Sequence, residues 1–103
     1  MTRNDSDPFD KESDFARVAL KWLNYQPNTW FVKYHASGFS TLGIPDLLGH
    51  INGKFVSIEL KSKEGIASSL QQTVITKINN SGGIAVCFHT IAEIKNLWNI
   101  VNE

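Results

Sequence analysis

Asn52-Gly53 restricts this chain more than any other pair of residues. It stands between two apolar runs, 46–51 and 54–60, inside "GIPDLLGHINGKFVSIELKSK". The two-residue hairpin turns that match strand twist need positive φ at both central positions, and Asn-Gly accepts it. With the turn centred there, residue i faces residue 105 − i, because the two turn positions sum to 105. Asp46 then lies opposite Glu59. Directly opposed residues project to one face with Cβ atoms about 4.5–5.5 Å apart.

Side chains alternate along a strand with period two, so Val56, Ile58 and Leu60 share a core face and Ser57, Glu59 and Lys61 the other. A plain two-sided strand leaves that second face to solvent. The tripeptide Glu-x-Lys alone carries little weight, arising by chance about 0.4 times per hundred residues. Its place in the hairpin carries more. Two opposed carboxylates repel unless a cation sits between them. Carboxylate oxygens with retained waters suit Mg²⁺. Lys61, one pleat along, is placed to orient or deprotonate a water, or to stabilise charge developing on a phosphate. Asp46 also reads simply as a strand-starting residue after Pro45.

The remaining elements follow from periodicity. Phe15, Val18, Ala19, Trp22 and Leu23 form one helical stripe, with Asp7 before Pro8, or Asp10, as the expected N-cap and an end near Asn24. "TWFVKYH" (29–35) reads as a strand and "ASGFSTLG" (36–43) as a glycine-bearing loop. After "KEGIASS" a second helix begins at Ser68, with Leu70, Val74, Ile75 and Ile78 facing inward. "IAVCF" (84–88) has the continuous apolar character of a buried strand. Thr90 and Glu93 form a capping box for a last helix whose stripe is Ile91, Ile94, Leu97, Trp98 and Val101. The order α-β-β-β-α-β-α implies an α/β fold with a central mixed sheet flanked by helices.

Length permits one modest core, so a single domain over residues 1–103 is expected. The start "MTRNDSDPFDKESD" is acidic and unlike a signal peptide, and no apolar run reaches spanning length. The lone Cys87 excludes an internal disulfide and reads as a buried, inert thiol in a reducing compartment. Net charge is zero, yet residues 17–77 carry seven bases against three acids, while residues 1–16 carry five acids against two bases. The positive middle favours phosphates locally. His35, His50 and His89 lack zinc-site spacing.

Taken in order, "GIPD", "IELK", "G-x-x-S-x-x-Q" and "GGIAV" resemble the VRR-NUC (virus-type replication-repair nuclease) family of the PD-(D/E)XK nuclease superfamily, from about Glu12 to Phe88. The resemblance implies a restriction-endonuclease-like fold and a Mg²⁺- or Mn²⁺-dependent DNA endonuclease. It places metal-binding roles on Asp46 and Glu59 and service of the hydrolytic water on Lys61. It adds Gln71 at the start of the second helix and an acid near the start of the first, best matched by Glu12 with Asp14 as substitute. Gln71 equally completes a capping box with Ser68, and Glu12 equally serves the helix dipole. Lys33, Lys54 and Lys63 are candidate nucleic-acid contacts and equally ordinary surface lysines.

Stand-alone members of the family imply a homodimer acting on branched DNA such as Holliday junctions, in a bacterial cytoplasm and encoded by a phage or prophage. The last helix's apolar stripe serves either a dimer interface or the core. A nicking or flap-directed nuclease, a non-catalytic DNA-binding module of the same fold, and an interaction protein with a coincidental motif are the competing readings.

Overall fold

A computed structural model describes residues 3–38 and 41–103. Met1 and Thr2 of the acidic start, and Phe39 and Ser40 of the 36–43 loop, lie outside the described residues. The order is α1 (Glu12–Tyr25), β1 (Thr29–Lys33), β2 (Leu47–Ile51), β3 (Lys54–Leu60), α2 (Ser69–Asn80), β4 (Ile84–Phe88) and α3 (Ile91–Val101). It is the α/β order that the sequence implies.

The strands form one mixed sheet in the order β1-β2-β3-β4, antiparallel through β3 and parallel between β3 and β4. Asn52 and Gly53 both take positive φ, 50° and 82°. The register obeys the turn: Leu47 pairs with Ile58 and Ile51 with Lys54.

One face of the sheet carries Phe31, Leu47, Ile51, Val56, Ile58 and Leu60 into the core. Against them pack Phe15, Ala16, Ala19 and Leu23 of α1 and Ile91 and Ile94 of α3. Leu97, Trp98 and Val101 also pack on this core, so the α3 stripe is spent on folding and the interface reading of it is set aside. Phe9 joins the core unannounced by any period, its ring stacked on Phe15 at 4.9 Å, a contact of about 0.5–1.5 kcal/mol beyond burial.

Both edge strands are closed by an asparagine side chain. Asn24 accepts the Phe31 N–H at 2.8 Å and donates to its carbonyl at 3.1 Å, on β1. Asn79 does the same for Ala85 of β4, at 2.8 and 3.0 Å. Each amide mimics the next strand's backbone and blunts an edge open to foreign pairing.

Several local expectations are corrected. Lys11, not Asp7 or Asp10, is the N-cap of α1, with no side-chain cap bond. Asp7 instead accepts the Asn4 N–H in a turn upstream. β1 stops at Lys33, although the Tyr34 N–H still reaches the Asp46 carbonyl at 2.7 Å. α2 buries no residue: Leu70 is 48% exposed and Val74, Ile75 and Ile78 are half-buried. It lies beside β4 rather than across the whole sheet, so its apolar side is only partly covered. Nor is the second face of β3 open to solvent, since Ser57 is 0% and Glu59 1% exposed. As a central strand β3 has β2 and β4 on either side, and the neighbouring α2 side chain of Gln71 reaches Glu59.

Candidate metal centre

The site forms where β2 begins and β3 ends. Pro45 is buried and the Tyr34 N–H holds the Asp46 carbonyl, which fixes the backbone of Asp46 one residue ahead of β2. Its Oδ2 accepts the Leu60 backbone N–H at 2.8 Å. The carboxylate thus extends the hairpin's hydrogen bonding beyond the ladder and stands beside Glu59.

Glu59 has the more constrained side chain. Its Oε2 accepts from Lys61 Nζ at 3.1 Å and from Gln71 Nε2 at 3.0 Å. Its Oε1 is buried and has no hydrogen-bond partner among the described residues. A buried carboxylate oxygen in that state is costly unless something absent from the chain binds it. Burial first, and then the charge of Asp46, lift the Glu59 pKa to about 7 against the counter-pull of Lys61. For Lys61, burial opposes the charge. The bond and charge of Glu59, with Glu12 and Asp46 behind it, outweigh that and raise its pKa.

Glu12 completes the group from the first turn of α1. One oxygen each of Glu12, Asp46 and Glu59 lie within 4.8 Å of one another. Asp14, the substitute considered from sequence, turns instead toward Arg17 at 3.9 Å. Three hard oxygen donors with one buried and orphaned oxygen fit a divalent cation such as Mg²⁺ or Mn²⁺.

Gln71 performs two tasks with one amide. Its Oε1 accepts the Ser68 N–H at 2.9 Å, closing the capping box, while its Nε2 reaches Glu59. The structural and site readings of this residue therefore coexist.

The other lysines are not brought to this group. Lys33 pairs with Leu47, whose side chain enters the core, so strand alternation sends Lys33 to the helix-covered face. Lys54 pairs with Ile51 at the hairpin end, five residues from Glu59 or about 17 Å along the strand. Lys63 lies exposed just past the site, with its N–H on the Phe9 carbonyl. His35 and His50 are exposed, and His89 bonds the Gly65 carbonyl. Cys87, opposite Glu59 on β4, is half-buried, and burial, then Glu59, push its thiol pKa up. Sequence reasoning missed the Leu60 N–H as partner of Asp46. The spacing gave no signal for it, since the register sets Leu60 opposite Pro45 and it is the Asp46 side chain that takes the donor.

A solved structure described as a VRR_NUC domain protein shares this architecture, with a TM-score of 0.70, 20% identity, and coverage of 93% of this chain and 88% of that one. No family model and no curated protein matches the chain. What this likeness defines is the fold, that of the VRR_NUC domain. No described helix is long and apolar enough to cross a membrane.

Proposed function

We propose that this protein is a divalent-metal-dependent DNA endonuclease of the VRR-NUC type. The observation that carries the reading is the convergence of Glu12, Asp46 and Glu59 beside Lys61, with Glu59 Oε1 buried and unpartnered. A pseudo-enzyme that only bound DNA has no reason to retain a repelling, desolvated pair of carboxylates.

Glu12, Asp46 and Glu59 would hold Mg²⁺ or Mn²⁺. Such an ion supplies Lewis-acid polarisation of the phosphoryl oxygen and a water of lowered pKa. The chain's own residues do the rest. The Leu60 N–H and Gln71 fix the two strand carboxylates in orientation, so that little reorganisation is needed when charge changes. Lys61 keeps its proton against Glu59. From there it orients the attacking water and stabilises charge on the scissile phosphate.

The substrate within this reading is branched DNA, such as a four-way junction, cut by a homodimer in a bacterial cytoplasm, from a phage or prophage gene. A two-fold dimer presents two sites for paired cuts. The surface a second copy would cover is the strip of Trp30, Val32 and Phe55, which share one face of the sheet, Trp30 at 62% and Phe55 at 46% exposure. Nicking or flap-directed cleavage is the alternative within the same chemistry.

The test is incubation with four-way-junction and linear duplex DNA under Mg²⁺, Mn²⁺ or EDTA, with Asp46→Ala as control. Metal-dependent cutting of the junction, lost in Asp46→Ala, is expected. Absence of cutting of any DNA by the wild type would leave the binding-module reading in its place.

A further inference from the structure

Both partners of Glu59 Oε2 hang from one short segment. Lys61 stands at its start and Gln71 just past its end, with the irregular stretch 62–67 between them. Whatever holds that stretch holds both.

The Lys63 N–H on the Phe9 carbonyl at 2.7 Å holds the near end of that stretch, and the end of β4 supplies the grip on its turn. His89 Nε2–H donates to the Gly65 carbonyl at 2.7 Å, which also fixes the ring's tautomer. His89 is itself anchored: its own N–H donates to Glu93 Oε1 at 2.8 Å, inside the capping box of α3.

The gripped turn touches the lysine directly. It closes through the Gly65 N–H on the Ser62 carbonyl at 2.9 Å. A Cβ built on Gly65 would lie 3.2 Å from Lys61 Cβ and 3.3 Å from its Cδ, so the Gly65 backbone forms a wall for the lysine stem. The Lys61 N–H is tied to the Phe88 carbonyl at 3.0 Å, one residue before His89. Lysine, turn and histidine form a closed circuit.

We propose that His89 is a positioning residue, which clasps the 62–67 turn through the Gly65 carbonyl and so sets Lys61 and Gln71 on Glu59. The proposal rests on the reading of this cluster as a nuclease centre, but the clasp itself is measurable without DNA.

Two variants separate its parts. His89→Phe keeps the ring volume and removes the donor. His89→Gln keeps a donor near the position of Nε2. In full-length protein without metal or DNA, amide hydrogen exchange across residues 61–71 is expected to quicken in His89→Phe and to return toward wild type in His89→Gln. On junction DNA with Mg²⁺, His89→Phe is expected to lose about tenfold or more in kcat with KM held within about twofold, as for a misplaced reacting group. His89→Gln recovers most of the loss.

Unchanged exchange in His89→Phe, or a glutamine variant no better than phenylalanine in both readouts, overturns the clasp. Should His89→Phe not fold, His89→Asn, whose shorter amide misses the carbonyl, takes its place with the same expected quickening. A wild type that cuts no DNA removes the nuclease reading while the exchange result still decides the clasp.

Discussion

Gln71 Nε2 donates to Glu59 Oε2 at 3.0 Å while the same side chain closes the cap of α2 on Ser68. The helix start and the carboxylate are therefore coupled through one amide. Replacing Ser68 by Ala removes the hydroxyl that accepts the Gln71 N–H at 3.1 Å and should lower stability by about 1 kcal/mol. Metal affinity should change little, since Gln71 retains Glu59. Gln71→Ala should lose similar stability and, in addition, weaken Mg²⁺ binding severalfold, because Glu59 loses a donor that stabilises its charge. Isothermal titration with Mg²⁺ beside thermal melts of both variants checks the split, and equal affinity in the two would contradict it.

Glu59 predicts an unusual slope of stability with pH. Its pKa is about 7 when folded against an ordinary 4.5, so the folded chain holds a proton that the unfolded chain has already released between those values. Stability contributed by this group is full below pH 4.5, falls as pH rises through 7 and is flat above. The loss is on the order of 3 kcal/mol. Glu59→Gln has no such proton to lose, so the difference in melting temperature between variant and wild type should widen in the variant's favour from pH 5 to pH 8. Saturating Mg²⁺ should erase the wild type's slope, because a bound cation takes the proton's place. A difference that stays constant across this range would refute the buried carboxylate with its raised pKa.

Asp46 offers a way to separate charge from geometry. Asp46→Asn keeps an oxygen for the Leu60 N–H and removes the charge, whereas Asp46→Ala leaves a part-buried amide unpaired, at a cost of about 1–3 kcal/mol. Both should abolish metal-dependent cutting. Only the alanine variant should be markedly less stable, and the asparagine variant should titrate Glu59 closer to its ordinary range, since Asp46 helps raise it. Melting curves with carboxyl-carbon NMR of Glu59 distinguish the two. Equal destabilisation would mean that the Leu60 bond contributes nothing.

The contrast between what was and was not legible follows from the range of each interaction. The hairpin register was legible because Asn52-Gly53 fixes it locally, and the opposition of Asp46 and Glu59 came with it. The caps at Ser68 and Thr90 were legible for the same reason. The burial of Glu59 was not, because alternation along one strand says nothing about what covers its second face. Nor were the incomplete burial of α2 and the core role of Phe9. Both depend on where a helix or a terminal segment lands on a sheet assembled from distant parts of the chain. Glu12 stood among Asp10 and Asp14 with no local reason to prefer it. The packing of α1 against the sheet brings its oxygen to the cluster and leaves Asp14 to Arg17.

Gly49 shows the same dependence on assembly and yields a sharp stability prediction. It sits in the middle of β2, where glycine is normally a weakness, directly across from Phe31 of β1. A Cβ there would lie 2.6 Å from Phe31 Cγ and 2.8 Å from its Cα, besides meeting the Trp30 carbonyl oxygen. Backbone cannot yield as a long side chain can, and Phe31 is held by Asn24 on its other edge. Gly49→Ala must therefore push β1 away from β2 or drive the Phe31 ring out of its place in the core. Either route should cost about 3 kcal/mol or more, above the usual gain of alanine over glycine in a strand. Gly53→Ala is the matched control for an open position: nothing lies within 4 Å of its added Cβ, and its loss should be limited to the strain of positive φ, about 1 kcal/mol. Urea titration of both variants reads the difference directly. A Gly49→Ala protein as stable as Gly53→Ala would mean that β1 does not lie against β2 in this register.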